Sequence, residues 1–550
     1  MLILLNDLEK MFFRLEEAER LNKNLPLSMN EKEVSMKTFK LHSTPVLVLT
    51  LLLVGITMTT CFSPLDYKGG GNITLSISVD KALHSRALVD LSPGNYEPDT
   101  FNYELILTGP GGTQQYDFTG TTITVKVNPG KYFITVRGTN GSGDLRALGE
   151  QEVIAQGSNN PVNITMKSAT EVTSWALLTT ACSGASQNHP VTGEPMEEII
   201  LLKKGVSPTD WNATGAMIVI NRPITLRAED DVMILREMSG GASNFFRVAS
   251  GGILCLEGPL TLDGNKDNYP NTLPLIGVQS GGILRMYNGV TLQNNFADIG
   301  GGVSLASGAF FVMEGGTIKD NSSYTEGGGV FSNYGAFIMK GGVITNNQSM
   351  DGGGVSLYGN YFSMEGGTIS GNTAEMGGGG VIIQGTFTIS SGNIKDNTAE
   401  YGGGVYIIAG TFTMSGGTIS DNTANIIYSL AGGGGGVWAG SGTFTMSGGT
   451  ISGNQVIMGN PSLIYGGGGG VFIEVSSFIK TGSASIFGYQ SGDSKSNKVV
   501  DNSGNLISNI GHAVYGYSDT TPGYRDDTSG GNDNLSYSYS TGVFDGHWDF

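Results

Sequence analysis

The 550-residue chain contains 87 glycines and only 14% charged residues, and its formal net charge is −18. That acidic balance excludes nonspecific nucleic-acid binding, which needs Lys and Arg against phosphates. Three cysteines exclude a disulfide-built scaffold, and 39% apolar residues are enough to fill a core, unlike a disordered acidic chain.

Residues 1–35 are charged and helix-prone, with Leu8, Phe12, Leu15 and Ala18 on one helical face. Because they precede an export-type segment, they are read as a non-native extension, with translation starting at Met36. Residues 36–61 carry basic Lys37 and Lys40, then an apolar run from Val46 to Met58 that is too short to span a bilayer, then Cys61. Met58 and Thr60 stand where a typical lipobox has Leu and then Ala or Gly. The segment resembles the relaxed lipoboxes of spirochaete lipoproteins. The resemblance implies a bacterial lipoprotein lipidated at Cys61, exported and attached to the outer membrane or cell surface. Cys182 and Cys255 are expected as buried free thiols.

Residues 71–167 alternate polar and apolar in Ile73–Val79, Tyr103–Leu107, Thr122–Val127, Tyr132–Val136 and Val162–Met166. Period-two alternation between turn formers such as Pro129-Gly130 and Asn140-Gly141 predicts a small β-sandwich. The run from Val127 to Val136, VNPGKYFITV, resembles a hairpin of Ig-like and carboxypeptidase-regulatory-like modules. That resemblance implies an Ig-like spacer or stalk.

From Gly251 the sequence repeats. Glycine runs end in Val303, Val330, Val355, Val381, Val405, Val437 and Val471, spaced by 27, 25, 26, 24, 32 and 34 residues. An aromatic landmark recurs at Phe311, Phe337, Phe362, Phe387, Phe412 and Phe444. A GGTI-like run ends at Leu292, Ile318, Ile344, Ile369, Ile394, Ile419 and Ile451, and three residues later stands Asn: Asn295, Asn321, Asn347, Asn372, Asn397, Asn422 and Asn454. Asn265 follows Leu262 at the same offset. A period near 25 residues with short β-type runs such as Thr411–Met414 predicts one coil of three strands, stacked at about 4.8 Å. Identical residues then form ladders, Phe on Phe and Asn on Asn.

The fold class expected is all-β: a right-handed parallel β-helix, a pectin-lyase-like solenoid, over residues 170–518 with an N-terminal cap, preceded by the Ig-like sandwich. Trp175–Cys182 is read as the capping helix and residues 519–550 as a C-terminal cap or tail. Insertions at Asn425–Leu430 and Val456–Ile464 in the longer repeats are expected to be protruding loops that offer a variable contact surface.

The segments NTAEYGGGV (Asn397–Val405) and NTAEMGGGGV (Asn372–Val381) resemble the repeats of polymorphic outer-membrane proteins, with Ile where those have Phe and GGGV where they have GGAI. The resemblance implies a surface adhesin whose partner is a ligand on a host or neighbouring cell, such as a glycan. The stretch after the last repeat is too short for the translocating barrel such proteins carry.

Parallel β-helices also host polysaccharide lyases and hydrolases, which need clustered carboxylates and cations. No Arg lies between Arg285 and Arg525, and no His between His189 and His512. Asp320, Asp396 and Asp421 each precede a ladder Asn, and are the candidate carboxylates for cation binding or acid–base work. Arg222, Arg227, Arg236 and Arg247 form a basic group in the early coils. No cofactor or metal is called for, and no residue is assigned as catalytic. A noncatalytic surface scaffold is the favoured expectation; a polysaccharide-active enzyme and a structural envelope component are the alternatives.

Overall fold

The computed structural model describes residues 73–79, 101–156, 159–183, 197–237, 243–269, 273–426, 432–459, 466–490, 493–507, 511–516, 523–525, 535–538 and 543–545. The expectations placed on residues 1–61, Cys61 included, lie outside the described residues, as do those on most of 519–550.

The N-terminal β module is built from two small sheets. In one, Ile73–Val79 lies antiparallel to Thr122–Val127 and parallel to Asn159–Ile164. In the other, Gly112–Thr119, Asn102–Gly109, Gly130–Thr139 and Leu145–Ala155 run antiparallel in that order. Their inner faces share one core that includes Leu75, Ile77, Leu105, Leu107, Ile134 and Val136. The strand Gly112–Thr119 has no counterpart in the sequence reading. It sits at a sheet edge with mostly exposed residues, and only Tyr116 and Phe118 turn inward, too short an apolar alternation to mark a strand.

This module does not end in a free linker. Ala147 and Leu148 pair antiparallel with Ser168 and Lys167, and Lys167–Val172 then runs parallel to Glu198–Leu202, the first solenoid strand. Glu198–Leu202 pairs in turn with Pro223–Ala228. One hydrogen-bonded sheet therefore passes from the module into the coils. Ion pairs flank the junction: Arg137 contacts Glu104, Glu171 and Glu229, and Arg227 bonds Glu150 at 2.8 Å and Glu257 at 2.7 Å.

Beyond it the chain is a right-handed parallel β-solenoid. The early coils contribute to two sheets, and from Phe296–Ile299 onward each coil contributes to three. In the coil beginning at Val405, the strands are Val405–Met414, Thr418–Ser420 and Thr423–Ile426. The sequence reading divided these differently. It separated the two halves of Val405–Met414, which are one strand bent at Gly410, where φ is +105°. It also passed over the strand that begins directly after the ladder Asn. In earlier coils the two halves are distinct, as Val303–Leu305 and Phe310–Met313.

Register holds along the stack. Phe311, Phe337, Phe362, Phe387, Phe412 and Phe444 are paired in succession, and the first five steps bring ring centroids to 4.6–4.8 Å with planes within 11°. Phe478 continues the file at 5.3 Å, one coil beyond the last aromatic landmark of the sequence. Neither a single coil nor a single strand can bury such a side chain, so stability comes from stacking. At the N-terminal end, the helix Trp175–Ser183 places Trp175, Leu178 and Cys182 into the solenoid core, with Trp175 against Phe245 and Phe246. The Ser174 hydroxyl accepts the Leu177 N–H at its start. At the other end, Leu535–Ser538 pairs antiparallel with Ser477–Lys480 and interrupts the parallel order.

The two insertions do not begin as loops. Asn425-Ile426 and Val456–Met458 extend the third sheet, and Ala424, Ile426, Val456, Met458 and Val499 form a satellite core beneath paired glycine strands. Residues 427–430 of the first and 460–464 of the second lie outside the described residues.

Candidate ligand-binding strip

The recurring asparagines are buried at 0–1% exposure, from Asn295 to Asn454. Each donates its backbone N–H to the Oδ1 of the Asn one coil on, at 2.9–3.1 Å. From Asn321 onward the Nδ2 bonds the same Oδ1 and also a backbone carbonyl of the previous coil, such as Ile344 for Asn372. Every polar atom of the amide is thereby occupied, which leaves no chemistry for a ligand. The file runs past Asn454 to Asn497, which the sequence spacing missed because 43 residues separate them. Asn265 does not join it. Its φ of +50° places it at the left-handed corner, which in later coils is held by the residue before the ladder Asn; its Nδ2 bonds the Arg236 carbonyl. The buried Arg236 guanidinium instead occupies the first rung, donating to Asn295 Oδ1.

Asp320, Asp396 and Asp421 occupy that corner, at φ values of +55°, +55° and +57°, where Asn294, Asn346, Gly371 and Gly453 stand in other coils. Asp and Asn tolerate left-handed backbone and Gly has no Cβ to clash. The backbone therefore accounts for the residue type. Asp320 and Asp396 pair with the adjacent Lys319 and Lys395 at 3.5 and 3.1 Å. Among the described residues no group of three or more His, Cys, Asp or Glu side chains is arranged to hold a metal ion.

Three of the four early-coil arginines are engaged in contacts within the fold, and Arg247 is exposed. Arg222 is buried, donating to the Cys182 and Ala181 carbonyls and to Glu198. Arg227 joins the junction ion pairs, and Arg236 caps the Asn file. The Cys182 thiol is buried and pushed up to about 12, and the Cys255 thiol, half-buried, up to about 11, in both cases chiefly by burial. Neither is a nucleophile at neutral pH.

A group of raised carboxyls and phenols lies elsewhere, at Glu326, at Asp351 and on the first halves of the long strands. Glu326 and Asp351 are bridged across one coil step. The Ser356 hydroxyl donates to Glu326 Oε2 at 3.0 Å, and the Tyr358 hydroxyl bonds the same carboxylate. Asp351 Oδ1 accepts the Gly377 N–H at 2.9 Å. Burial holds both carboxyls above the usual range, and the Asp351 charge adds to the effect at Glu326. Burial likewise raises Glu474. The Tyr358 phenol is pushed up to about 12 by burial and by Glu326, and Tyr406 is raised by burial and by the charges of Glu474 and Asp351. Both phenols therefore remain donors at physiological pH.

An aromatic row continues from this group. Tyr406, Trp438, Phe472 and Tyr515 occupy one column of the register. Tyr406 lies 4.2 Å from Trp438, Tyr401 lies 5.2 Å from it, and Phe472 stacks on Tyr515 at 5.5 Å. Glycine runs fold directly onto these rings. A Cβ at Gly377 would lie 2.0 Å from Tyr406, and one at Gly432 would lie 2.1 Å from Phe472. The half-buried Tyr401 and Tyr406 thus stand on a rigid base of buried Trp438, Phe472 and Tyr515, while Tyr358, two coils away, lies against Phe331 and bonds Glu326.

Sequence reasoning missed this strip, although two signals point to it. The residue after the landmark Val turns aromatic in Tyr406, Trp438, Phe472 and Tyr515, and the residue before the glycine run is acidic at Glu326 and Asp351. Comparison with protein-family models, with curated proteins and with solved structures finds no match for the chain.

Proposed function

We propose that the protein is an interaction scaffold of adhesin type, exported and lipid-anchored through Cys61, that holds an extended glycan of a host or neighbouring cell along the strip from Glu326 to Glu474. The observation that carries this reading is the placement of half-buried tyrosines beside half-buried carboxyls, Tyr358 by Glu326 and Tyr406 with Tyr401 by Asp351, on successive coils. Sugar rings offer apolar C–H faces to stack on aromatics and hydroxyls to bond carboxylates and phenols. A rigid base keeps the entropic cost of binding low. The ladder residues contribute the frame and not the contact, because stacking consumes their polar atoms.

Binding is tested with a glycan array probed with the full chain and its Tyr406→Ala and Glu326→Gln variants. The expected outcome is binding to a restricted glycan set, weakened about tenfold or more by Tyr406→Ala. A flat array would remove the reading. Lipid attachment is tested by palmitate labelling in a bacterial host, where label that persists in Cys61→Ala contradicts the anchor.

One observation favours a second reading, a glycoside hydrolase. Glu326 and Asp351 are backbone-paired one coil step apart, so two carboxyl side chains stand on adjacent coils, as a two-carboxylate mechanism needs. Both carboxyls are raised, as a general acid requires. New reducing ends from a polysaccharide panel, lost in Glu326→Gln and in Asp351→Asn, would select this reading over the scaffold.

A further inference from the structure

A second face of the solenoid differs from the strip. It is formed by the outer positions of Phe310–Met313, Ala336–Met339 and the second halves of the five long strands that end with Val471–Lys480. Each of these seven strands directs two positions away from the core, all but the buried Ala336 reaching the surface, and none of them carries a charged residue, in a chain of net charge −18. Arg285, in register with Val312, ends the uncharged run on one side. In the middle the face becomes a grid of threonines: Thr386 and Thr388, Thr411 and Thr413, Thr443 and Thr445, paired coil on coil. All six are exposed or half-exposed, around the buried Phe387, Phe412 and Phe444.

We propose that this face binds a neutral, unbranched polysaccharide laid along the solenoid axis, which rests on the reading of the molecule as a glycan-binding scaffold and adds a second, charge-free contact surface to it. Three physical arguments select that occupant. A polyanion is repelled by the molecule as a whole, and a polycation finds better partners anywhere but here. The face spans roughly 30 Å by 13 Å at ordinary strand and coil spacing, about 400 Å². A stable pair of protein surfaces needs about 800 Å² per partner, so the area suits a thin chain and not a second copy. Finally, hydroxyls recur at each coil step of about 4.8 Å, on β-branched side chains whose χ1 is already restricted. A polymer with its own regular hydroxyl repeat meets preordered donors and acceptors, at little entropic cost.

The test uses the full chain, depleted from solution by microcrystalline cellulose, chitin or starch granules, with immobilised polygalacturonate as the charged control. Retention on at least one neutral polymer should exceed the control about tenfold and fall by about tenfold in Thr413→Lys. The shape-conserving double variant Thr388→Val/Thr413→Val should also lose retention, because it removes hydroxyls and leaves the fold intact, checked by circular dichroism. Thr119→Val, at an exposed threonine of the N-terminal β module, should leave retention unchanged. Retention equal to the control, or insensitive to both threonine variants, overturns the proposal. If retention instead falls only in Tyr406→Ala, the strip is the glycan site and the threonine face is not. Loss of all glycan binding in every arm sinks the scaffold reading as well. A concentration-dependent dimer in sedimentation that Thr413→Lys dissolves identifies the face as a self-interface and overturns the proposal.

Discussion

At the scale of single residues, similar sequence neighbours have different physical roles. Asn372 accepts from the backbone N–H and from the Nδ2 of Asn347, both buried. Asn372→Ala strands these donors and is expected to cost about 3 kcal/mol or more, read by urea unfolding. Asn265 shares the sequence offset but sits at the part-buried left-handed corner. Asn265→Gly keeps that conformation available and should cost less than about 1 kcal/mol. The offset from the apolar landmark was legible; which of the two positions it marked was not, because the coil containing Asn265 places the left-handed residue one position later. The carboxyls of the strip permit a signed prediction. Raised folded-state pKa values at Glu326 and Asp351 mean that these groups contribute stability fully present below the unfolded carboxylate pKa. That contribution is lost as pH rises through the raised folded value. Glu326→Gln should therefore flatten the rise in stability seen on acidifying from neutral pH through that window. The change should be less than about 1 kcal/mol, since the site is half open to solvent, and thermal melts across the window would show it.

At the scale of elements, the glycine runs have two roles that the sequence displays as one. Some glycines take left-handed backbone at the corner, such as Gly402 at φ +61°. Others are required by close approach, such as Gly377, whose added Cβ would lie 2.0 Å from the Tyr406 ring. Gly377→Ala is expected to overpack the ring and cost about 1–3 kcal/mol, and also to weaken glycan binding by displacing Tyr406. Titration of the variant on the glycan array checks the second effect, and denaturant unfolding the first. Division of each coil into strands was the least legible feature at this scale. Period and apolar landmarks located two of the three sides and missed the one that begins after the ladder Asn; the two runs flanking Gly410 belong to one strand, because glycine there allows the chain to bend without leaving the sheet. The insertions were read as loops from length alone. Ile426, Val456 and Met458 are instead buried, since the added residues bring their own apolar side chains to cover.

At the scale of the whole molecule, the β module is more than a spacer. Its strand Lys167–Val172 covers the edge of Glu198–Leu202, and the helix Trp175–Ser183 closes the core above the first coils. A truncated chain starting at Trp175 exposes that strand edge. It is expected to self-associate in size-exclusion chromatography, whereas the chain retaining residues 71–172 stays monodisperse at the same concentration. The sequence by itself determined the solenoid, its period of about 25 residues and the Phe and Asn files, because stacking identical coils repeats the same local demand in every turn. The tertiary structure alone decided that the module's sheet runs into the first coil, that Arg236 and Asn497 terminate the Asn file, and that Glu326, Asp351 and the tyrosines share one strip. Those contacts join residues that no local period relates, so they come into being only when the coils have stacked in register.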